Sequence, residues 1–176
     1  MLIQNIVGRE SDIDLQGVEI DTLRMEWYEL SKRIQRVKTT SGRDVALKFI
    51  SEGVLLRDGD VLHLDKAEGF AIVVRVLETQ TIVLSPKNML EMATICYEIG
   101  NKHMPLFIDG DEILLPYEAP MFKWLVSAGY TPREEMRSLQ NRLRSRVSDH
   151  HHAESEPHKE SLFSRVINFA SQVSEK

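Results

Sequence analysis

The sequence predicts an α+β protein: an N-terminal all-β domain over residues 1–77, a ferredoxin-like β-α-β-β-α-β domain over 78–147, and a His-containing C-terminal tail over 148–176. Three observations carry this expectation. The first region is rich in β-branched residues and turn signals. The second alternates strand-like and helix-like stretches in the order of a split βαβ unit. The third opens with "SDHHHAESEPHKES", which is polar and almost without apolar side chains, a composition that buries too little surface to offset the entropy of ordering.

Within the first region, "RIQRVKTTSGRDVALKF" reads as strand, Ser41-Gly42 turn and strand, with apolar positions at Ile34, Val37, Val45, Leu47 and Phe49. "LLRDGDVLHLD" places a second turn at Asp58-Gly59, and the largely apolar "FAIVVRVLE" reads as a buried strand. The second region gives a strand over 81–84, a helix over 86–100 and a strand over 106–108. A turn at Asp109-Gly110, a strand over 112–117, a helix over 120–128 and a final strand near 133–139 follow. Ser85 before Pro86 has the form of an N-cap and first helical residue, and Gly100 and Gly129 stand where helices stop. Leu90, Ala93, Tyr97 and Gly100, with Met89, Met92 and Cys96, make an apolar stripe at helical spacing. In the tail, Leu162, Phe163, Val166, Ile167, Ala170 and Val173 are spaced as one face of a short amphipathic helix, suited to packing on the body of the protein or on a partner.

Composition narrows the function. A hydrophobic fraction of 42% and a charged fraction of 28% are those of an ordinary globular protein. No apolar run approaches the roughly 20 residues that span a bilayer, and the first residues lack a basic, signal-like start, which places the protein in the cytoplasm and away from membranes. The single cysteine, Cys96, cannot form an internal disulfide. The net charge of −5 disfavours a general polyanion binder. The chain shows no G-x-S-x-G, no HExxH and no locally supported Cys-His pair, so it is not read as an enzyme.

The chemical signal lies in the histidines. His150, His151, His152 and His158 fall within nine residues of the polar tail, and clustered neutral imidazoles suit late first-row divalent metals. His103 stands alone at the end of the first helix, in "CYEIGNKHMPLFIDG". Three and four residues before it are Gly100 and Ile99, which cannot coordinate through side chains. Cys96 is seven residues back, about 10 Å along an ideal helix, too far to share an ion. A lone histidine there is either a cap interacting with the last carbonyls or a metal ligand whose companions come from a twofold-related copy or from the tail. His63 on its alternating strand reads as structural or solvent-facing. Asp109, Asp111 and Glu112 read as a hairpin turn with solvated charges, and Cys96 as a small residue on the apolar helix face.

"GNKHMPL" resembles the G-N-[KR]-H-x-x-L motif of the UreE urease accessory proteins, matched here by Gly100, Asn101, Lys102, His103 and Leu106. The first-region hairpin, "LLRDGDVL", the β-α-β-β-α-β order and the His-bearing tail extend the likeness over most of the chain. The resemblance implies a nickel metallochaperone: a homodimer in which two His103 side chains bind one Ni²⁺, with tail histidines completing the shell. It also implies partners in a UreG-like GTPase and the urease apoprotein. An N-rich shell of this kind would also take Zn²⁺ or Cu²⁺. With four tail histidines rather than a long run, delivery fits better than bulk storage. The competing expectation is a protein- or RNA-binding adaptor with incidental histidines. "RSLQNRLRSRV" supplies Arg137, Arg142, Arg144 and Arg146, but the chain has no aromatic-rich RNA-binding motif, so nucleic acid is not expected as a partner.

Overall fold

A computed structural model describes residues 1–51 and 53–143. The elements in order are β1 (Leu2–Ile3), β2 (Gly8–Arg9), β3 (Glu19–Met25), β4 (Ile34–Lys38), β5 (Asp44–Lys48), β6 (Asp60–Asp65), β7 (Phe70–Val76), β8 (Glu78–Leu84), α1 (Met89–Asn101), β9 (Phe107–Asp109), β10 (Glu112–Pro116), α2 (Ala119–Ser127) and β11 (Arg133–Ser138). The architecture is α+β, with the helices confined to the C-terminal half. The tail expectations, including the amphipathic stretch and His150, His151, His152 and His158, lie outside the described residues.

The first half packs two sheets face to face, one in the order β1-β5-β4 and the other in the order β2-β6-β7-β3. Between them Leu23, Met25, Val45, Leu47, Phe49, Leu56, Ile72 and Val74 form a buried core. The β4–β5 hairpin turns where expected, with Gly42 at φ +87, a left-handed conformation that glycine adopts without a Cβ clash. Its Thr40 and Ser41 hydroxyls donate to the buried Asp21 carboxylate on β3, stitching the hairpin to the second sheet. Burial works against the Asp21 charge, yet the hydrogen bonds from Ser41, Thr39 and Thr40 outweigh it and hold this carboxyl below its ordinary value.

Two departures from the sequence expectation follow from strand geometry. Ile34 and Val37 are separated by an odd number, so they point to opposite faces; Ile34 is exposed and Val37 packs on the core. β3 was not expected from the sequence. It pairs in parallel with β7 along its whole length, a long-range partnership with no turn signal to announce it.

The second half forms an antiparallel sheet in the order β11-β8-β10-β9, the ferredoxin-like arrangement. Both helices cover one face, burying Ile82, Leu84, Ile95, Ile99, Leu106, Ile113, Leu115, Met121 and Leu125. The other face carries Val83, Phe107, Leu114 and Leu139, closed in part by Trp27 from the segment after β3. Trp27 meets Phe107 edge-on at 5.5 Å between ring centroids, a favoured aromatic geometry. The rest of that face is an ion network: Arg133 binds Glu112 at 2.7 Å and Glu135 at 3.0 Å, and Arg137 binds Asp109, Glu112 and Glu135 at 2.9–3.1 Å. Asp109 and Glu112 are therefore paired charges, not merely solvated ones.

Helix α1 starts later than Ser85-Pro86 suggests. Asn88 is the N-cap: its side chain accepts from the Glu91 N–H at 2.9 Å, while the Glu91 carboxylate reaches back to the Lys87 N–H. This near-reciprocal arrangement satisfies two orphan donors, whereas Ser85 is drawn to Arg133 and Glu112. Helix α2 ends as expected, with Gly129 at φ +88 and the Gly129 and Tyr130 N–H groups bonded to the Val126 and Leu125 carbonyls.

Candidate metal centre

The apolar stripe on α1 divides into two faces. Met92, Ile95, Cys96 and Ile99 pack on the sheet. Met89, Leu90 and Tyr97 are 81%, 77% and 70% exposed, and Ala93 and Gly100 on the same side are exposed too. Apolar residues cover more than half of the helix circumference, with Glu91, Thr94, Glu98 and Asn101 on the remaining side, so the i, i+3, i+4 pattern is satisfied in more than one direction and spacing alone does not select the buried face. Cys96 is half-buried, and desolvation pushes its thiol pKa up, away from the thiolate a metal needs.

The helix does not stop at Gly100, which is its penultimate residue; it runs on to Asn101. Lys102 is the C-cap and His103 turns to φ +56, its N–H donating to the Gly100 carbonyl at 2.9 Å. This is the position that glycine commonly fills after a helix. A side chain there strains the backbone by about 1–2 kcal/mol, with histidine among the residues that tolerate it better. The conformation is held from both sides. Ile99 before it and Met104 after it pack in the same core, and Leu106 is buried two residues further on. His103 itself is exposed. The arrangement displays one imidazole in water on a rigid mount.

Beside it, the Lys102 ammonium sits 4.2 Å from the centroid of the Trp124 ring on α2. The chain leaving β11 comes back along the outer edge of β9, where the Leu143 N–H donates to the Leu106 carbonyl at 2.8 Å and Arg142 bridges Phe107. The last described residue is thus pinned three residues beyond His103 in the sequence. Neither Trp124 nor this return was legible beforehand, because each depends on which elements become neighbours.

Among the described residues no three His, Cys, Asp or Glu side chains form a group able to hold a metal. His63 rests against the Phe70 ring at 5.1 Å, next to an irregularity in the β6–β7 pairing. Among the described residues, then, His103 has no companion ligands within its own protomer. No helix among them is long and apolar enough to cross a membrane.

Comparison with known proteins agrees with this layout. The family model described as "UreE urease accessory protein, N-terminal domain" matches residues 3–77, and "UreE urease accessory protein, C-terminal domain" matches residues 75–162. The chain is 44% identical to the urease accessory protein UreE of Flavobacterium johnsoniae over 170 residues, covering 97% of this chain and 99% of the relative. It is 42% identical to that of Actinobacillus pleuropneumoniae, covering 85% and 81%, and 37% identical to that of Acetivibrio thermocellus, covering 88% and 99%. With two family models spanning most of its length and relatives this similar end to end, the chain belongs to the UreE family of urease accessory proteins.

Proposed function

We propose that this protein carries nickel to urease during its maturation, as a homodimer that binds one Ni²⁺ between two His103 side chains. The observation that carries the reading is His103 itself: an exposed imidazole held in a strained backbone conformation where glycine would be easier, with no companion ligand among the described residues. Strain persists at a site whose surroundings over-determine it, and it gathers at functional positions. A second copy related by a twofold axis would supply the second imidazole. The exposed Met89, Leu90, Ala93 and Tyr97 face of α1, leading to His103, offers the apolar surface such a dimer buries.

Two imidazoles leave a divalent ion under-coordinated, and the tail supplies further donors. His150 is seven residues past Leu143, a reach of up to about 25 Å for extended chain, and His151, His152 and His158 reach farther. A shell completed by tethered ligands exchanges readily, which suits delivery to a UreG-like GTPase and the urease apoprotein in the cytoplasm. The division into residues 1–77, 78–147 and 148–176 assigns partner contact, metal binding and ligand supply in that order. Zn²⁺ and Cu²⁺ compete for the same donors.

The test is equilibrium dialysis with nickel alongside light scattering. The parent should bind one metal per dimer, and His103→Ala should lose that site and nickel-dependent urease activation while keeping its fold. Truncation after Val147 should weaken nickel binding tenfold or more. A strict monomer at tens of micromolar with and without nickel, or an His103→Ala variant that binds as the parent does, would overturn the reading in favour of an adaptor with incidental histidines. The RNA-binding form of that alternative is disfavoured because Arg133 and Arg137, on the open sheet face, are already held by three carboxylates.

A further inference from the structure

The structure assigns Lys102 and Trp124 a positioning role: the cation–π contact between them clamps the end of α1 to α2 and so fixes the direction in which His103 presents its imidazole. The inference rests on the reading of His103 as the metal ligand. Lys102 is the residue through which the chain passes from helical to left-handed backbone, with φ −88 and ψ 2 just before the φ +56 of His103. Any looseness at Lys102 becomes a rotation of His103. Ile99 and Met104 fix where the turn falls, but Ile99 is buried three residues before Lys102 and Met104, after the turn, is only partly buried, so neither holds Lys102 itself. At the turn itself, the tie to another element that involves a side chain is the Lys102 ammonium, 4.2 Å from the Trp124 centroid. Trp124 is in turn partly buried against the core of the second half, so the ring is a fixed platform and not a second mobile group.

The contact also settles where a positive charge goes. An ammonium adjacent in sequence to a ligand of a divalent cation would oppose binding if it swung toward the ion. The electron-rich face of the indole attracts it instead. Arginine satisfies the same ring, whereas an uncharged side chain of similar length does not.

The experiment compares the full-length parent with Lys102→Met, Lys102→Arg, Trp124→Leu and the Lys102→Met/Trp124→Leu double variant. The first measurement is hydrogen exchange at the His103 amide in chelator-treated protein. The second is the Ni²⁺ dissociation constant, and the third is the visible absorption of the Co²⁺-loaded protein, which reports ligand geometry. Lys102→Met should speed exchange at His103 and weaken nickel binding about threefold to fivefold, with a changed Co²⁺ spectrum. Lys102→Arg should restore all three. Trp124→Leu should reproduce the Lys102→Met loss, and the double variant should lose no more than either alone, because both changes remove one contact. Nickel binding by Lys102→Met as tight as the parent would overturn the proposal by showing that Lys102 does not position the ligand, and tighter binding would overturn it by showing that Lys102 acts on the ion as a like charge. Additive losses in the double variant would overturn it too, since a helix-end charge effect of Lys102 does not require Trp124. Retention of nickel by His103→Ala would instead refute the metal reading itself, and the exchange rates would still show whether the clamp exists.

Discussion

Replacing His103 by glycine should make the metal-free protein more stable while abolishing its metal site. The native residue holds φ +56, a conformation in which a Cβ crowds the backbone at a cost of about 1–2 kcal/mol, nearer the lower figure for histidine. Glycine removes that clash and retains the amide that donates to the Gly100 carbonyl. Against this, glycine enlarges the conformational freedom of the unfolded chain by about 0.5–1 kcal/mol. With the strain at about 1 kcal/mol, the balance is a stabilisation of at most about 0.5 kcal/mol, or up to roughly 2 °C in Tm for a chain of this size. His103→Ala keeps the Cβ, so it should gain nothing. The assay is urea unfolding in the presence of chelator, at one fixed protein concentration so that association contributes equally to each variant. A His103→Gly variant less stable than both the parent and His103→Ala would refute the reasoning, because it would mean that the histidine side chain contributes more to the fold than its backbone conformation costs.

The exposed α1 face gives a second expectation: Leu90→Glu and Tyr97→Glu should each weaken dimerisation tenfold or more, about 1.4 kcal/mol, with monomer Tm unchanged, as read by light scattering over a dilution series; an unchanged dimer would place the interface elsewhere. Two glycines at helix ends should respond in opposite ways. Gly100 is helical and a Cβ on it meets nothing within 4 Å, so Gly100→Ala should stabilise the chelated monomer by about 0.5–1 kcal/mol, whereas Gly129 at φ +88 should make Gly129→Ala destabilising by about 1 kcal/mol; urea midpoints of the two variants check the sign. Finally, hydrogen bonds from Arg133, then from Ser85 and Arg137, hold the Glu112 carboxyl below its ordinary value despite partial burial. A depressed carboxylate stabilises the fold above its unfolded pKa of about 4.3 and stops doing so as pH falls through its folded value. Glu112→Gln should therefore be less stable than the parent at pH 7 and lose less on going to pH 3, and parallel pH profiles for the two would refute this.

The sequence by itself determined the α+β class, the strand and helix order of the second half, and the hairpins at Ser41-Gly42 and Asp109-Gly110, and it put His103 forward as the candidate ligand. All of these rest on local signals: turn residues that permit one backbone geometry, period-2 and helical patterning, and a motif contiguous in the chain. What the tertiary structure decided is what local signals leave degenerate. The apolar arc of α1 is wider than the face that can be buried, so only packing could choose Ile95 and Ile99 for the core and leave Leu90 and Tyr97 outside. Ser85-Pro86 and Asn88 both have the chemistry of a helix start; the pull of Arg133 and Glu112 on Ser85, together with the Glu91 spacing, selected Asn88. The parallel β3–β7 pairing joins segments some fifty residues apart in the sequence with no turn to mark it. The left-handed turn at His103 went unread because Gly100 looked the better stop. The helix runs on past Gly100, whose backbone stays helical, and Ile99, Met104 and Leu106, settling into the core on either side, set the turn where the histidine stands.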